Sequence, residues 1–181
     1  MKIKTLLTLI SCVFILATAK AQISTIGIGP ELNVPTGNSS NISSIGGSLA
    51  LKAEFGLSPK MGLTLNGGIT SFLGRNYFGI RTPTETAFPL KGGFKYYTSP
   101  NFYVEGQLGA NIPISGNAKA GFVWSPGVGT YLKLRDTDNF LDVGLRYEGW
   151  SSRRTITATS TTFSTFSFIG LRVAYAFNLA K

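Results

Sequence analysis

The chain has 181 residues, a formal net charge of +9, no histidine and one cysteine. Charged residues make up only 14% of it, against about 25% in ordinary soluble domains, and no Lys/Arg-rich run marks a nucleic-acid face. Without histidine, Ser-His-Asp chemistry and the common zinc ligand sets are excluded, and no carboxylates cluster at metal-ligand spacing, so no cofactor and no metal are expected.

The first element is a targeting segment. Lys2 and Lys4 form a positive start, and Thr5 to Thr18 is an apolar run too short for a helical span of about 20 residues. Ala19-Lys20-Ala21 is a small-x-small cleavage site before Gln22. Residues 1–21 are therefore expected to be a secretory signal peptide and residues 22–181 a single barrel domain. "LISC" at Leu9 to Cys12 faintly resembles a lipoprotein box, but the apolar run continues past Cys12, so the cysteine leaves with the leader. Losing Lys2, Lys4 and Lys20 with it lowers the net charge to +6.

Beyond residue 22 the hydrophobic period is two, not 3.6. Eight strands are predicted near 26–34, 45–57, 61–73, 88–96, 102–112, 122–134, 141–149 and 163–179. Several exceed the ~5–6 residues usual in globular sheets and match the ~9–11 that a tilted strand needs to cross a bilayer. Short connections at 58–60, 98–101 and 135–139 alternate with longer ones at 35–44, 74–87, 113–121 and 150–162. Short turns on one rim and long loops on the other are the pattern of a membrane barrel, with both termini on the short-turn side.

One face of every strand is apolar and free of Asp, Glu, Lys and Arg: Leu49, Leu51, Ala53, Phe55 and Leu57 in the second strand, for example. The opposite face holds Glu31, Lys52, Glu54, Lys91, Lys95, Glu105, Lys133, Asp142, Arg146, Glu148 and Arg172, among twelve glycines and many Ser, Thr and Asn. A soluble, lipocalin-like, lipid-binding barrel would turn these charges out to water and line a cavity with the leucines. Small residues suit a crowded interior better, and Phe55, Tyr96, Phe102, Tyr175 and Phe177 at one end with Phe88, Trp124, Tyr147 and Phe163 at the other form two interfacial girdles. Trp150 is read as a further interfacial aromatic. The charges are thus expected to fill the lumen in pairs, since unpaired buried charge is costly. The turns suggest Lys95 with Glu105, Lys133 with Asp142 and, across the closing seam, Arg172 with Glu31.

With these features in place, the chain resembles the eight-stranded outer-membrane β-barrel superfamily of Gram-negative bacteria, the group of the OmpA transmembrane domain and OmpX-type proteins. Segments such as "FPLKGGFKYYTSPNFYVEGQLGAN" (88–111) and "LDVGLRYEGW" (141–150) carry the likeness, which covers the whole mature chain. It implies an all-β, antiparallel, up-and-down transmembrane barrel in the outer membrane. The chain end resembles the C-terminal signal read by the barrel-insertion machinery: Gly170, Val173 and Tyr175 fit its pattern and Phe177 follows, whereas Phe168 replaces its polar first position. Lipid A acyltransferases and deacylases of this superfamily rely on a histidine, which this chain lacks.

No enzymatic activity is therefore expected. Glu31, Glu54, Glu105 and Glu148 could in type serve acid–base work, but neutralising interior Lys and Arg is the simpler role. The long loops carry Arg75, Arg81, Lys119, Arg153 and Arg154 against Glu85, and Arg153 and Arg154 are candidate contacts to lipopolysaccharide phosphates, which guanidinium groups match. The expected protein is a small, monomeric barrel with a structural or adhesive surface role, its partners being outer-membrane lipid, lipopolysaccharide and the insertion machinery. The alternatives are a narrow porin-like pore or hydrophobic-ligand conduit, and an accessory protein for secretion or envelope assembly.

Overall fold

The computed structural model describes residues 23–179 except 78–79, 82, 116–118 and 158–159, and not the side chains of 23–24, 77, 80–81, 152–157 and 160–164. The leader expected at 1–21 lies outside the described residues. Eight antiparallel strands close into a barrel: β1 (Ile23–Pro35), β2 (Ser43–Ser58), β3 (Met61–Gly74), β4 (Glu85–Tyr97), β5 (Phe102–Pro113), β6 (Gly121–Lys133), β7 (Phe140–Thr157) and β8 (Ser160–Asn178). Each pairs with its sequence neighbours, and β1 closes on β8 from Thr25↔Asn178 to Pro35↔Phe168. No sheet edge is left in the wall, the condition that lipid imposes on strands. No helix among the described residues is long and apolar enough to cross a membrane.

The alternation seen in the sequence becomes an inside-out burial pattern. Leu49 and Leu108 on the outer face are 58% and 60% exposed, while Lys95 and Glu148 on the inner face are 0% exposed. These leucines therefore face out of the barrel and the charges face in, the reverse of the lipocalin-like reading. The inner glycines have a packing reason. A Cβ at Gly129 would fall into the Tyr103 ring, and one at Gly46 into the Phe72 ring. These glycines make room for aromatics that are their cross-strand partners on the adjacent strand.

The short turns lie where the sequence places them. Asp136 takes a positive φ of 64° in the β6–β7 turn, a conformation its short polar side chain tolerates. On the opposite rim, Gly37 (φ 57°) opens a 3-10 turn over Gly37–Asn41. That turn is stitched to β8: the Thr36 N–H donates to the Ser167 carbonyl at 2.9 Å, and the Ser167 N–H to Ser39 Oγ at 2.9 Å. In the third connection Asn76–Tyr77 pairs with Ile80–Arg81 as a minimal ribbon.

The seventh connection differs from the expected loop at 150–162. It is strand on both sides, and β7 and β8 remain paired out to Ser160↔Thr157. Their outer neighbours stop much earlier: β6 ends at Phe122↔Ser151 and β1 at Pro35↔Phe168. Beyond those points β7 and β8 form a two-stranded ribbon, about 20 Å of extended chain at ~3.3 Å per residue. Thr and Ser dominate its sequence, and Thr is a good strand former, so length and polarity alone do not make this segment a loop.

The closed wall and its Gly–aromatic fit give a direct test. Gly129→Val places a branched side chain where the Tyr103 ring sits, and is expected to lower unfolding free energy by about 1–3 kcal/mol. The measurement is the fraction of faster-migrating, unheated band on a gel over a urea series in detergent.

Candidate functional site: the lumen and the outer rim

Strands β1, β2, β4, β5, β7 and β8 send ten ionisable side chains into the lumen, five acidic (Glu31, Glu54, Glu105, Asp142, Glu148) and five basic (Lys52, Lys91, Lys95, Arg146, Arg172). The interior is formally neutral. Lys133, expected inside with them, is not: its side chain is 66% exposed at the rim and lies 3.6 Å from Asp138 in the turn. It has the inward parity but is the last residue of β6, beyond the level where the wall encloses it.

The pairings differ from those expected from the turns. Backbone register does set Lys95 opposite Glu105 and Glu31 opposite Arg172. The side chains nevertheless choose other partners. Lys95 pairs with Glu54 and Lys52 with Glu105, the latter at 2.7 Å. Glu31 pairs with Arg146, and Arg172 with Asp142, leaving Lys133 without Asp142. Lys91 pairs with Glu148, and Arg146 Nε also lies 2.9 Å from that carboxylate as an ion pair. In a barrel of ~8 strands the interior is only side-chain wide, so long Lys and Arg stems reach past the neighbouring strand to carboxylates on facing ones.

The network has two tiers. Towards the loop rim, Lys91, Glu148, Arg146 and Glu31 form one chain of pairs. Towards the turn rim, Lys52, Glu105, Asp142 and Arg172 form a second, and Lys95 with Glu54 forms a third group. Neutral groups fill many of the remaining valences, while Glu31 Oε2 and Arg146 Nε have no hydrogen-bond partner among the described residues. Gln107 Nε2 donates to Glu105 at 2.8 Å, Tyr103 Oη to Asp142 at 2.6 Å, Tyr131 Oη to Glu54 at 3.0 Å, and Trp150 Nε1 to Glu148 at 2.7 Å. Lys95 Nζ lies 4.1 Å from the Tyr103 ring centre and 4.6 Å from that of Tyr131, close enough for cation–π attraction.

Aromatic clusters cap both ends of this polar column. Phe72, Trp150, Phe166 and Phe168 pack edge-to-face and tilted under the loop rim, with the Phe72 and Trp150 rings 5.5 Å apart. Tyr97, Tyr103, Tyr131 and Phe140 pack at the turn rim. Trp150 is thus an interior plug, 8% exposed, and not the interfacial aromatic expected of it. Sequence reasoning passed over these rings because it sorted aromatics by closeness to strand ends. The usable signal was parity: Tyr97, Tyr103, Tyr131, Trp150 and Phe168 share the phase of the charged face of their strands, and Phe72 that of Thr64, Asn66 and Thr70 on the uncharged β3.

Among the described residues no group of three His, Cys, Asp or Glu could hold a metal ion. Each interior carboxylate meets a cation, so none stands as a free acid–base group. Between the tiers, near Asn66, Gln107 and Arg172, the lumen keeps a cavity of about 20 Å³, room for a single water. Of the residues of the C-terminal motif, Gly170 faces inward and Val173, Tyr175 and Phe177 face outward on β8. Arg153 and Arg154 lie on the ribbon opposite Phe163 and Thr162; their side chains are outside the described ones.

The fold is that of an eight-stranded transmembrane barrel of the outer-membrane class. No family model matches the chain, and no curated protein does. Among solved structures it is similar to the outer membrane protein OprG from Pseudomonas aeruginosa, with 9% identity over 89% of this chain and 98% of that one and a TM-score of 0.55. Two further likenesses are looser. The Yersinia pestis outer membrane protein Ail in a phospholipid nanodisc is 15% identical over 86% of this chain and 99% of that one, with a TM-score of 0.44. A de novo designed transmembrane β-barrel is 12% identical over 88% and 99%, also with a TM-score of 0.44.

The lumen network predicts a non-additive mutational cycle. Lys91→Met leaves Glu148 buried beside one cation fewer and is expected to cost about 3–5 kcal/mol. Lys91→Met with Glu148→Leu removes both charges and is expected to recover most of that loss. Equilibrium urea unfolding in lipid vesicles, followed by tryptophan emission, reads both values.

Proposed function

We propose that this chain is a non-enzymatic, integral outer-membrane barrel with a structural or adhesive role at the cell surface. The observation that carries the reading is the division of labour between the two ends of β7 and β8. Inside the wall they supply Asp142, Arg146, Glu148, Trp150, Phe168 and Arg172 to a filled lumen. Outside it they continue as a ribbon that, among the described residues, pairs with no other strand past Ser151 on β7 or past Ser167 on β8, where Thr36 and Ser39 hold it. The backbone edges of such a ribbon pair readily with an extended segment of another chain. The absence of histidine and the cation beside each interior carboxylate support a non-enzymatic barrel.

In this reading the leader at 1–21 exports the chain and is cleaved after Ala21. Gly170, Val173, Tyr175 and Phe177 present the end of β8 to the insertion machinery, and the mature protein is a monomer. Arg153 and Arg154, carried on the ribbon, meet phosphates of the lipopolysaccharide leaflet.

Two measurements test it. Planar-bilayer recording is expected to show no steady conductance; a stable open level would favour the narrow-pore alternative. Arg153→Ala with Arg154→Ala is expected to weaken lipopolysaccharide binding about tenfold, as loss of charge-assisted contacts does, without changing heat-dependent gel mobility. Unchanged binding would remove the phosphate role.

A further inference from the structure

The outer wall is not uniform. Pairing of β6 with β7 runs through Trp124↔Gly149 and resumes at Gly127↔Arg146, skipping Ser125 and Pro126. The register is unchanged across the gap, so this is a break in the ladder and not a bulge. Pro126 has no N–H, and on its other side it still pairs with Gly106 of β5. The missing donor therefore faces β7, beside Tyr147.

Over this break the outer face is hollowed into a groove of about 700 Å³. Gly106 and Pro126, cross-strand partners, form its floor, and Phe94, Val104, Leu145 and Tyr147 are among its walls. A Cβ at Gly106 would meet nothing within 4 Å. The groove also touches Glu105, Gly127 and Arg146, which belong to the inner face, and these three line the small lumen cavity behind it. At this seam the wall, one backbone layer thick and short of a hydrogen bond, separates a lipid-facing hollow from the polar column; Pro30 and Pro89 interrupt the β1–β8 and β3–β4 ladders in the same way.

We infer that the groove over the Pro126 break is a seat for one acyl chain of a membrane phospholipid, held along the β6–β7 seam. The occupant follows from the surroundings. The groove is continuous with the apolar belt of Leu108, Phe122, Val128 and Ile169, which the bilayer covers, and its walls are hydrocarbon and aromatic. Hydrocarbon gains no hydrophobic driving force by leaving lipid for such a surface. The seat holds its chain by shape: a flexible chain fills the hollow that Gly106 and Pro126 leave, and regains dispersion contacts that a void forfeits. A seated chain also screens the thinned seam from water and from lipid headgroups.

Native mass spectrometry of protein extracted from phosphatidylcholine vesicles tests this. The unaltered chain is expected to carry one phospholipid per barrel. Gly106→Leu, which fills the hollow without a clash, is expected to lower that occupancy roughly threefold, the scale of packing effects within lipid. Ala110→Leu, outward on the same strand but outside the groove, is expected to leave it unchanged. Equal occupancy in Gly106→Leu, or a dimer mass in place of the lipid adduct, overturns the proposal. Should Gly106→Leu not fold, Gly106→Val puts a smaller side chain into the same open space, and equal occupancy in that variant also overturns the proposal.

Discussion

Ten ionisable side chains sit in a tube whose outer wall is hydrocarbon, and everything else in this protein is arranged around that fact. Charge in such a place is tolerable only when it is matched, and five carboxylates meet five cations. Most of the matches join strands that are not neighbours, such as β2 with β5 and β4 with β7. Closing the wall and satisfying the charges are therefore one event. A half-formed sheet would present Lys91 or Lys52 with no partner, which ties the identity of the interior to a complete circuit of eight strands.

The aromatic caps belong to the same economy of space. Rings at both ends reduce water access to the column between them, which strengthens each electrostatic contact inside. They fit because glycines opposite them on the adjacent strands carry no Cβ to meet them, as at Gly129 under Tyr103 and Gly46 under Phe72. The glycine-rich inner face and the large inner rings, which look contradictory as composition, are two halves of one packing solution.

Much of this was legible before the fold. Strict alternation determined the number of strands and which side of each faces inward, because side chains repeat every two residues. The short turn at 98–101 placed Lys95 opposite Glu105, and closing the last strand on the first placed Glu31 opposite Arg172. What alternation does not encode is reach. A flexible stem in a narrow lumen is not bound to its cross-strand partner, so Lys95 turned to Glu54 and Glu31 to Arg146. Nor does parity encode depth, which put Lys133 on the rim although its phase was correct. The ribbon was missed for another reason: Thr- and Ser-rich sequence is compatible with loop and strand alike, and only pairing of β7 with β8 decides between them.

The stitching of the first long connection to β8 has a consequence for the order in which the barrel comes together. β1 and β8 lie at opposite ends of the chain, Thr25 pairing with Asn178, so their seam carries the largest loop-closure cost of any in the wall. It is also the seam that ends at the Thr36–Ser167–Ser39 contacts. Those contacts act as a clasp across the seam between the first and last strands, and they sit on the rim opposite the Ile23 end of β1 and the Asn178 end of β8.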